Sequence, residues 1–399
     1  MPLRFGHAML EQWALEPETL YLNHGTVGAT PRVVLKAQRA IHDEIERQPS
    51  RFLLRELTVL GHGPRPERPR RMRVAAQAVA EFFGASGDDL VFVDNATTGA
   101  NTVLRSLAFG PGDEILVTDL TYGAVTNAAT YTARRVGAKV VRAEIPGPPF
   151  TPEATLAAIL GALTPRTRLA IVDHITSESA LVMPLAEIVR GCHARGVAVA
   201  VDGAHAPGAI ALDIPSFGAD WYFGNLHKWA WAPRSSAIFW VRPDRQAETH
   251  PNVISWGLDQ GFTTEFDLVG TRDPSPFLAA PAALDFMRSL GVGAVQEWNH
   301  ALAMQGARLL ANRWGTEFTA PESMIGTMAS VPLPERLGST PPEAKALRDA
   351  LLDEGIEIQM HATRGRMWAR ISAQIYNEIA DYERLAEAVM SRAGEVRTG

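Results

Sequence analysis

Short apolar runs recur along the first 245 residues, each closed by a turn and followed by a helical stretch. The runs Leu90–Val93, Glu114–Thr118, Lys139–Ala143, Arg168–Asp173, Val197–Val201 and Trp221–Phe223 are mostly small, β-branched or aromatic. Strands with so little polar alternation are expected where both faces of a parallel sheet are covered. Helical patterns precede them over residues 31–47 and 73–83, and lie between them over 125–136 and 184–195 and from about Pro152. A further run, Ala237–Val241, is placed to close the sheet antiparallel. Strands alternating with helices predict an α/β fold.

After Gly257 the pattern loosens. Gly270-Thr271-Arg272-Asp273-Pro274 turns into the helical stretch PFLAAPAALDFM, which continues to about Trp314. Strand-like segments at Thr327–Val331 and Ile356–Met360, then a C-terminal helix, predict a smaller α+β unit. At 399 residues two domains are expected.

Composition narrows the function classes. Hydrophobic content of 46% and charged content of 21% are those of an ordinary globular chain. A net charge of −6 gives no basic footprint for nucleic acid. No apolar run is long enough to span a membrane, and the first residues lack a signal-peptide core, so a cytoplasmic enzyme is expected. A single cysteine excludes a disulfide framework and a multi-cysteine metal centre. It is Cys192, on the 184–195 helix, where it reads as a small buried hydrophobe.

The candidate chemistry collects at strand ends. Asp202 closes one run, and Lys228 follows another by a short turn through Gly224 and Asn225. Ligands of open α/β sheets bind at that edge. Phe223, Trp229 and Trp231 flank Lys228, and an amine among aromatic groups loses solvation, which lowers its pKa and frees its lone pair. Singly, such residues read as a surface lysine and a turn-capping acid. As a pair they fit pyridoxal phosphate, whose sites join a Schiff-base lysine to an acid on the ring nitrogen. A metal site on Asp202, His205 and His227 is the weaker alternative, because a second carboxylate or thiolate is missing.

Other segments add to the pair. Strand 90–93 leads through Asp94-Asn95-Ala96-Thr97-Thr98-Gly99 into a helix, and a helix N-terminus with free N–H groups binds anions. Thr97 and Thr98 read either as phosphate donors or as the helix cap. Tyr122, after the next strand, can stack on a flat ring or pack under a helix. Ser177 follows another strand end. Gly25 and Gly28 shape a loop whose N–H groups can hold a carboxylate, and Thr30-Pro31 reads as the cap and first turn of the next helix. Arg370, on a strand-like segment, is either a surface cation or a bidentate grip on a substrate carboxylate. The arginine- and proline-rich stretch 61–73 reads as a solvated loop or a basic flap.

Together, YLNHGTVG, the NATT turn, TYGAV, DHITS, VDGAH, HKW, GTRD and RISAQIYN resemble the class V aminotransferase family of pyridoxal phosphate enzymes, and within it the isopenicillin N epimerase-like group. The resemblance runs from about residue 20 to 380. It implies the type I fold of these transferases: a large α/β domain with a mostly parallel seven-stranded sheet between helices, and a smaller α+β C-terminal domain. The expected divisions are an N-terminal segment 1–20 packing with the small domain, a cofactor-binding domain 21–265 and a small domain 266–399.

The resemblance also implies residue roles. Lys228 would carry the cofactor and Asp202 would hold its pyridine nitrogen. Thr97, Asn225 and His227 would bind phosphate, with Thr98 close by. Tyr122 would stack on the ring, with Ser177 and His205 near the phenolic oxygen. Arg370 and the loop Asn23, His24 and Gly25 would take the α-carboxylate of a small amino acid substrate. The site would lie at a homodimer interface, Thr271 reaching the neighbouring subunit's phosphate. Tyr122 or His24 would be the second acid of an epimerase. The implied activity is epimerisation or transamination at an amino-acid α-carbon. The alternative is a C–S lyase without a persulfide cysteine, since HATRGRMW has no cysteine where the desulfurase branch carries one.

Overall fold

The computed structural model describes residues 5–58 and 70–395. Most of the basic stretch 61–73 lies outside the described residues. Its last residues open a helix, where Arg73 meets Asp267 through two hydrogen bonds of 2.7 and 2.8 Å.

Seven strands make one sheet: β1 (Leu90–Val93), β2 (Glu114–Thr118), β3 (Lys139–Ala143), β4 (Thr167–Asp173), β5 (Ala198–Asp202), β6 (Trp221–Asn225) and β7 (Ala237–Val241). Their order is β1-β7-β6-β5-β4-β2-β3. Neighbours from β3 to β6 run parallel, and β7 is antiparallel to both β6 and β1. Side chains alternate between two layers with the strand period of two. On β4, Ala170 and Val172 join a core with helices α1 (Arg32–Arg47) and α2 (Arg71–Phe82). Leu169 and Ile171 face the opposite core, with α3 (Ala96–Ser106) and α4 (Gly123–Val136). Helices α5 (Pro152–Gly161) and α6 (Leu185–His193) complete the first layer. With both faces covered, apolar runs rather than alternating strands are what the sheet requires.

Two contacts set where α3 and the first loop lie. A Cβ at Gly99 would come within 2.5 Å of the Phe223 Cβ, so glycine lets α3 sit close on β6. Gly28, at φ 69°, passes against the main-chain oxygen of His227, where no Cβ fits. Thr30 does not cap α1 as the sequence predicts. Its hydroxyl donates to the main-chain oxygen of Ala232 at 3.3 Å, and Pro31 holds the cap position.

Helix α7 (Ser275–Leu290) packs Phe277, Ala280 and Leu284 into the first layer's core. Helix α8 (Val292–Trp314) leads to a three-stranded antiparallel sheet of order β9-β10-β8, with β8 (Met328–Pro332), β9 (Gln359–Thr363) and β10 (Arg366–Ser372). Its core gathers Val331 and Ile371 with residues of α8, α9 (Pro341–Asp353) and α10 (Ile379–Glu395). Leu20–Tyr21 pairs in parallel with Ile356–Glu357, which ties the N-terminal segment to this unit. Among the described residues, no single helix is long and apolar enough to cross a membrane.

Candidate active site

Three parallel strands end side by side in polar residues. Asp173 closes β4, Asp202 closes β5 and Asn225 closes β6, with Asp173 and Asp202 in register. The turn after β6 carries His227 and Lys228. A cavity of about 640 Å³ opens over these ends and is walled on its far side by Gln359, Thr363 and Arg370 of the C-terminal unit. It lies between two units, where small-molecule sites concentrate.

Of the chain's lysines, Lys36, Lys139 and Lys345 are exposed on the outside. Lys228 lines the cavity and donates from Nζ to His205 Nε2 at 3.0 Å. Burial, and then Arg370, lower its pKa to about 7, against the pull of Asp202. Burial raises Asp202 to about 6, opposed by the Ala204 N–H that its Oδ1 accepts at 2.9 Å, and by Lys228. Burial drives His205 well below its ordinary range, with Lys228 adding to the effect. The imidazole is therefore neutral. With Nε2 accepting, its proton sits on Nδ1, a buried atom without a partner.

Lys228 is thus a base at neutral pH. The cofactor-free protein should take up pyridoxal phosphate faster as pH rises through about 7, then level off, because only the unprotonated amine attacks an aldehyde. A rate still climbing tenfold per pH unit towards pH 10 would put the amine at its ordinary value.

The phosphate end is built on α3. Asn95 is the cap, its Oδ1 accepting from the Thr98 N–H at 2.9 Å and the Thr98 hydroxyl at 3.2 Å. Neither threonine caps the helix. Asn225 Oδ1 accepts the Ala96 N–H at 2.8 Å, which fixes the helix start over β6 and leaves the amide N–H groups for a ligand. Thr97 lines the cavity, whereas Thr98 lines a side groove with Asn101, Arg105 and Asn252. His227 Nδ1 donates to the Ser236 main-chain oxygen at 3.2 Å, so its Nε2 is the nitrogen left for a ligand. Burial, then Lys228, lower its pKa to about 4, and a phosphate dianion beside it would favour the second proton.

Arg370 is 3% exposed, yet no carboxylate pairs with it among the described residues. Nη1 donates to the Ser177 main-chain oxygen at 2.8 Å, and Nη2 to Thr26 Oγ1 at 2.6 Å and Asn23 Oδ1 at 3.2 Å. Its Nε has no partner. Burial lowers its pKa to about 10, so it stays charged. Glu178 acts on it only through space, without an ion pair, and a buried cation so placed favours an anion beside it.

Tyr122 precedes α4 and lines the cavity, 48% exposed at its mouth. Ser177 and Gly25 also line it, although the Gly25 N–H is taken by Ser372 Oγ at 3.0 Å. Asn23 lies behind Arg370 and orients it. His24 does not reach the cavity. Its Nε2 donates to the Lys228 main-chain oxygen at 3.0 Å and its Nδ1 accepts from the Tyr376 hydroxyl at 2.8 Å, so it supports the lysine turn. That position places it behind the lysine turn and outside the cavity lining. Thr271 is exposed and outside its own chain's cavity.

Asp173, not expected at the site from the sequence, belongs to its lining. Its Oδ2 lacks a partner, and burial with the neighbouring Asp202 raises its pKa well above the carboxylate range. The acid that ends the Arg168–Asp173 run was the available signal. Glu178, Gln359 and Thr363 were also missed, because only tertiary packing brings them to the wall.

Pyridoxal phosphate fits this donor set. Asp202 is a buried carboxylate with one donor, Asp173 Oδ2 and His205 Nδ1 are buried and unpartnered, and a helix N-terminus stands at one end. The comparisons with known proteins agree. A probable L-cysteine desulfhydrase, chloroplastic, of Arabidopsis thaliana is 32% identical over 414 residues, covering 96% of this chain and 84% of the relative. Isopenicillin N epimerase of Streptomyces clavuligerus is 31% identical over 400 residues, covering 96% of both. A solved C-DES variant with glycine covalently linked to its pyridoxal phosphate has a similar fold, at a TM-score of 0.78 and 21% identity, over 95% of this chain and 98% of that one. Residues 31–385 match the class V aminotransferases, and on that match the chain belongs to this family, with pyridoxal 5′-phosphate as its cofactor.

Proposed function

We propose that the enzyme removes the α-proton of an amino acid whose carboxylate rests on Arg370, and that it is an isopenicillin N epimerase-like epimerase or aminotransferase. One observation carries this reading: a buried, unpaired guanidinium shares a cavity with an amine that is neutral near pH 7. When bound, pyridoxal phosphate supplies an aldehyde for the substrate amine and a ring that delocalises the charge left at the α-carbon. Asp202 pairs with the ring nitrogen. Thr97, Asn225 and His227 hold the phosphate, and Thr98 tightens the helix start through Asn95. His205 and Ser177 lie by the phenolic oxygen. Lys228 Nζ takes the α-proton as a general base. In an epimerase Tyr122, at the mouth, returns a proton from the other face. In a homodimer Thr271 faces the neighbouring subunit's phosphate.

The desulfhydrase relatives favour a second reading, a C–S lyase in which Lys228 does the same work and a β-substituent leaves. It would not run through a persulfide. Cys192 is buried on α6, away from the cavity, and burial pushes its thiol up to about 11.

Proton NMR in heavy water on a panel of amino acids separates these outcomes. Loss of the α-proton signal with formation of the other enantiomer marks an epimerase. A keto acid with pyridoxamine phosphate marks an aminotransferase, and pyruvate from cysteine marks the lyase. No exchange with any amino acid would overturn the α-carbon reading.

Arg370→Ala should raise KM for carboxylated substrates about 10- to 100-fold, the loss of one charge-assisted bidentate pair, with a smaller change in kcat. Steady-state kinetics check this. An unchanged KM would move the carboxylate elsewhere.

A further inference from the structure

One residue of the C-terminal unit makes its polar contacts with the large sheet's loops. Arg364 sits at the tip of the β9–β10 hairpin, where Thr363 pairs with Arg366 and only Arg364 and Gly365 form the turn. Its Nη2 donates to Asp119 Oδ2 and, at 2.7 Å, to the main-chain oxygen of Ile145. Its Nη1 donates to the main-chain oxygen of Gly147. The guanidinium also lies 5.2 Å from the centre of the Phe150 ring. These partners follow β2 and β3 of the seven-stranded sheet. Arg366, by contrast, bonds to Leu333 within its own unit.

The backbone shows that arginine is not there for the sake of the turn. Both turn residues have positive φ, 54° at Arg364 and 72° at Gly365. Such two-residue hairpins favour asparagine before glycine, and a long side chain in the left-handed region is unfavourable. A residue held in that conformation by its surroundings points to a role beyond local structure. Asp119 is prepared to receive it. Its Oδ1 accepts the Ile145 N–H at 2.9 Å, which leaves Oδ2 for the guanidinium. The side chains of Arg364 and Asp119 are 26% and 14% exposed, so solvent screens this pair less than a surface one.

This clasp and the carboxylate grip sit on one hairpin. Arg370 lies further along β10, and its own bonds go to neutral oxygens of Ser177, Thr26 and Asn23. Thr363 and Gln359 of β9 line the main cavity, as do Asp119 and Leu120. Arg364 itself does not line it. Fastened at its tip as well as at Arg370, the hairpin stands at one distance from Asp202 and Lys228. Released at the tip, it is free to pivot about the Arg370 end.

We propose that Arg364 is a positioning residue, whose clasp on Asp119 fixes the β9–β10 hairpin and so sets where Arg370 presents the substrate's carboxylate. This rests on the reading that Arg370 takes that carboxylate. It adds a second cation that acts on the substrate only through the first.

The test uses the holoenzyme and Arg364→Asn, which gives the turn its favoured residue pair and removes the clasp. The melting transition should stay level or rise. The KM for alanine, and the Kd for 2-methylalanine measured by calorimetry, should each rise about tenfold, a coupling ordinary for residues of one network. The second compound has no α-proton, so its Kd reads binding alone. Binding of ethylamine, which lacks the carboxylate, should not change in a visible-spectrum titration. In an Arg370→Ala background the same substitution should alter neither constant, because the clasp then has nothing to position. Asp119→Asn keeps an acceptor for the Ile145 N–H, weakens the pair from the other side, and should raise both constants.

Constants unchanged in Arg364→Asn and Asp119→Asn, or raised equally with and without Arg370, would overturn the clasp while the role of Arg370 stands. An equal loss for ethylamine would overturn it too, as the mark of general loosening. The expected shifts in the 2-methylalanine Kd, with no α-proton exchange from any amino acid, would support the clasp and overturn the α-carbon reading. A parent enzyme that binds 2-methylalanine no better than Arg370→Ala does would overturn both.

Discussion

Replacing Lys228 by alanine should lower kcat more than about 1,000-fold for every amino acid tested, because general-base and covalent roles are lost together. The residue unites two features that no other lysine of the chain has. Its amine lines the cavity, and burial with Arg370 keeps it near pKa 7. An ordinary lysine, near pKa 10.4, would be almost wholly protonated at neutral pH and useless as a base. The fold should survive the change, since alanine keeps the main-chain oxygen that His24 Nε2 bonds at 3.0 Å and so the turn itself. Circular dichroism and the melting transition would check this, and the visible spectrum would show whether the cofactor remains only non-covalently bound. A variant that keeps a tenth of the parent rate would sink the assignment.

The second large effect is Asp202→Asn, with kcat lowered about 100- to 1,000-fold at an unchanged fold. The amide has the same shape and still accepts the Ala204 N–H, so the β5 end is preserved. What it lacks is charge. Only a carboxylate favours a protonated ring nitrogen beside it, and that proton makes the ring an effective sink for electrons. The sign with pH follows from the raised value. In the cofactor-free protein Asp202 becomes charged as pH rises through about 6, so partnership with a cation weakens below that pH. A kcat within threefold of the parent would remove Asp202 from that role.

Much of the fold was legible because a sheet covered on both faces asks for continuous apolar runs, and these are easy to see. The strand ends at Lys139–Ala143, Glu114–Thr118 and Ala237–Val241 match the expected residues. Lys228 and Asp202 stood out for a related reason: Asp202 follows such a run directly, and Lys228 follows another after a short turn. Features that depend on distant chain partners were not legible. His24 is held by Tyr376, and Thr30 bonds to Ala232 instead of capping α1. Asn95 took the cap that the two threonines were weighed for, since its side chain, three residues before Thr98, reaches the Thr98 N–H. The pairing of Asp173 with Asp202 needs the β4–β5 register.

The central claim is that Lys228 carries the cofactor. Borohydride reduction of the holoenzyme fixes a lysine-bound cofactor in place, and digestion with mass spectrometry then locates it. The chain has only Lys36, Lys139, Lys228 and Lys345 to choose among, so the answer is unambiguous. The label is expected on the peptide containing Lys228 and on none of the other three. A label on any of those three, or none after reduction of a fully loaded enzyme, would contradict it.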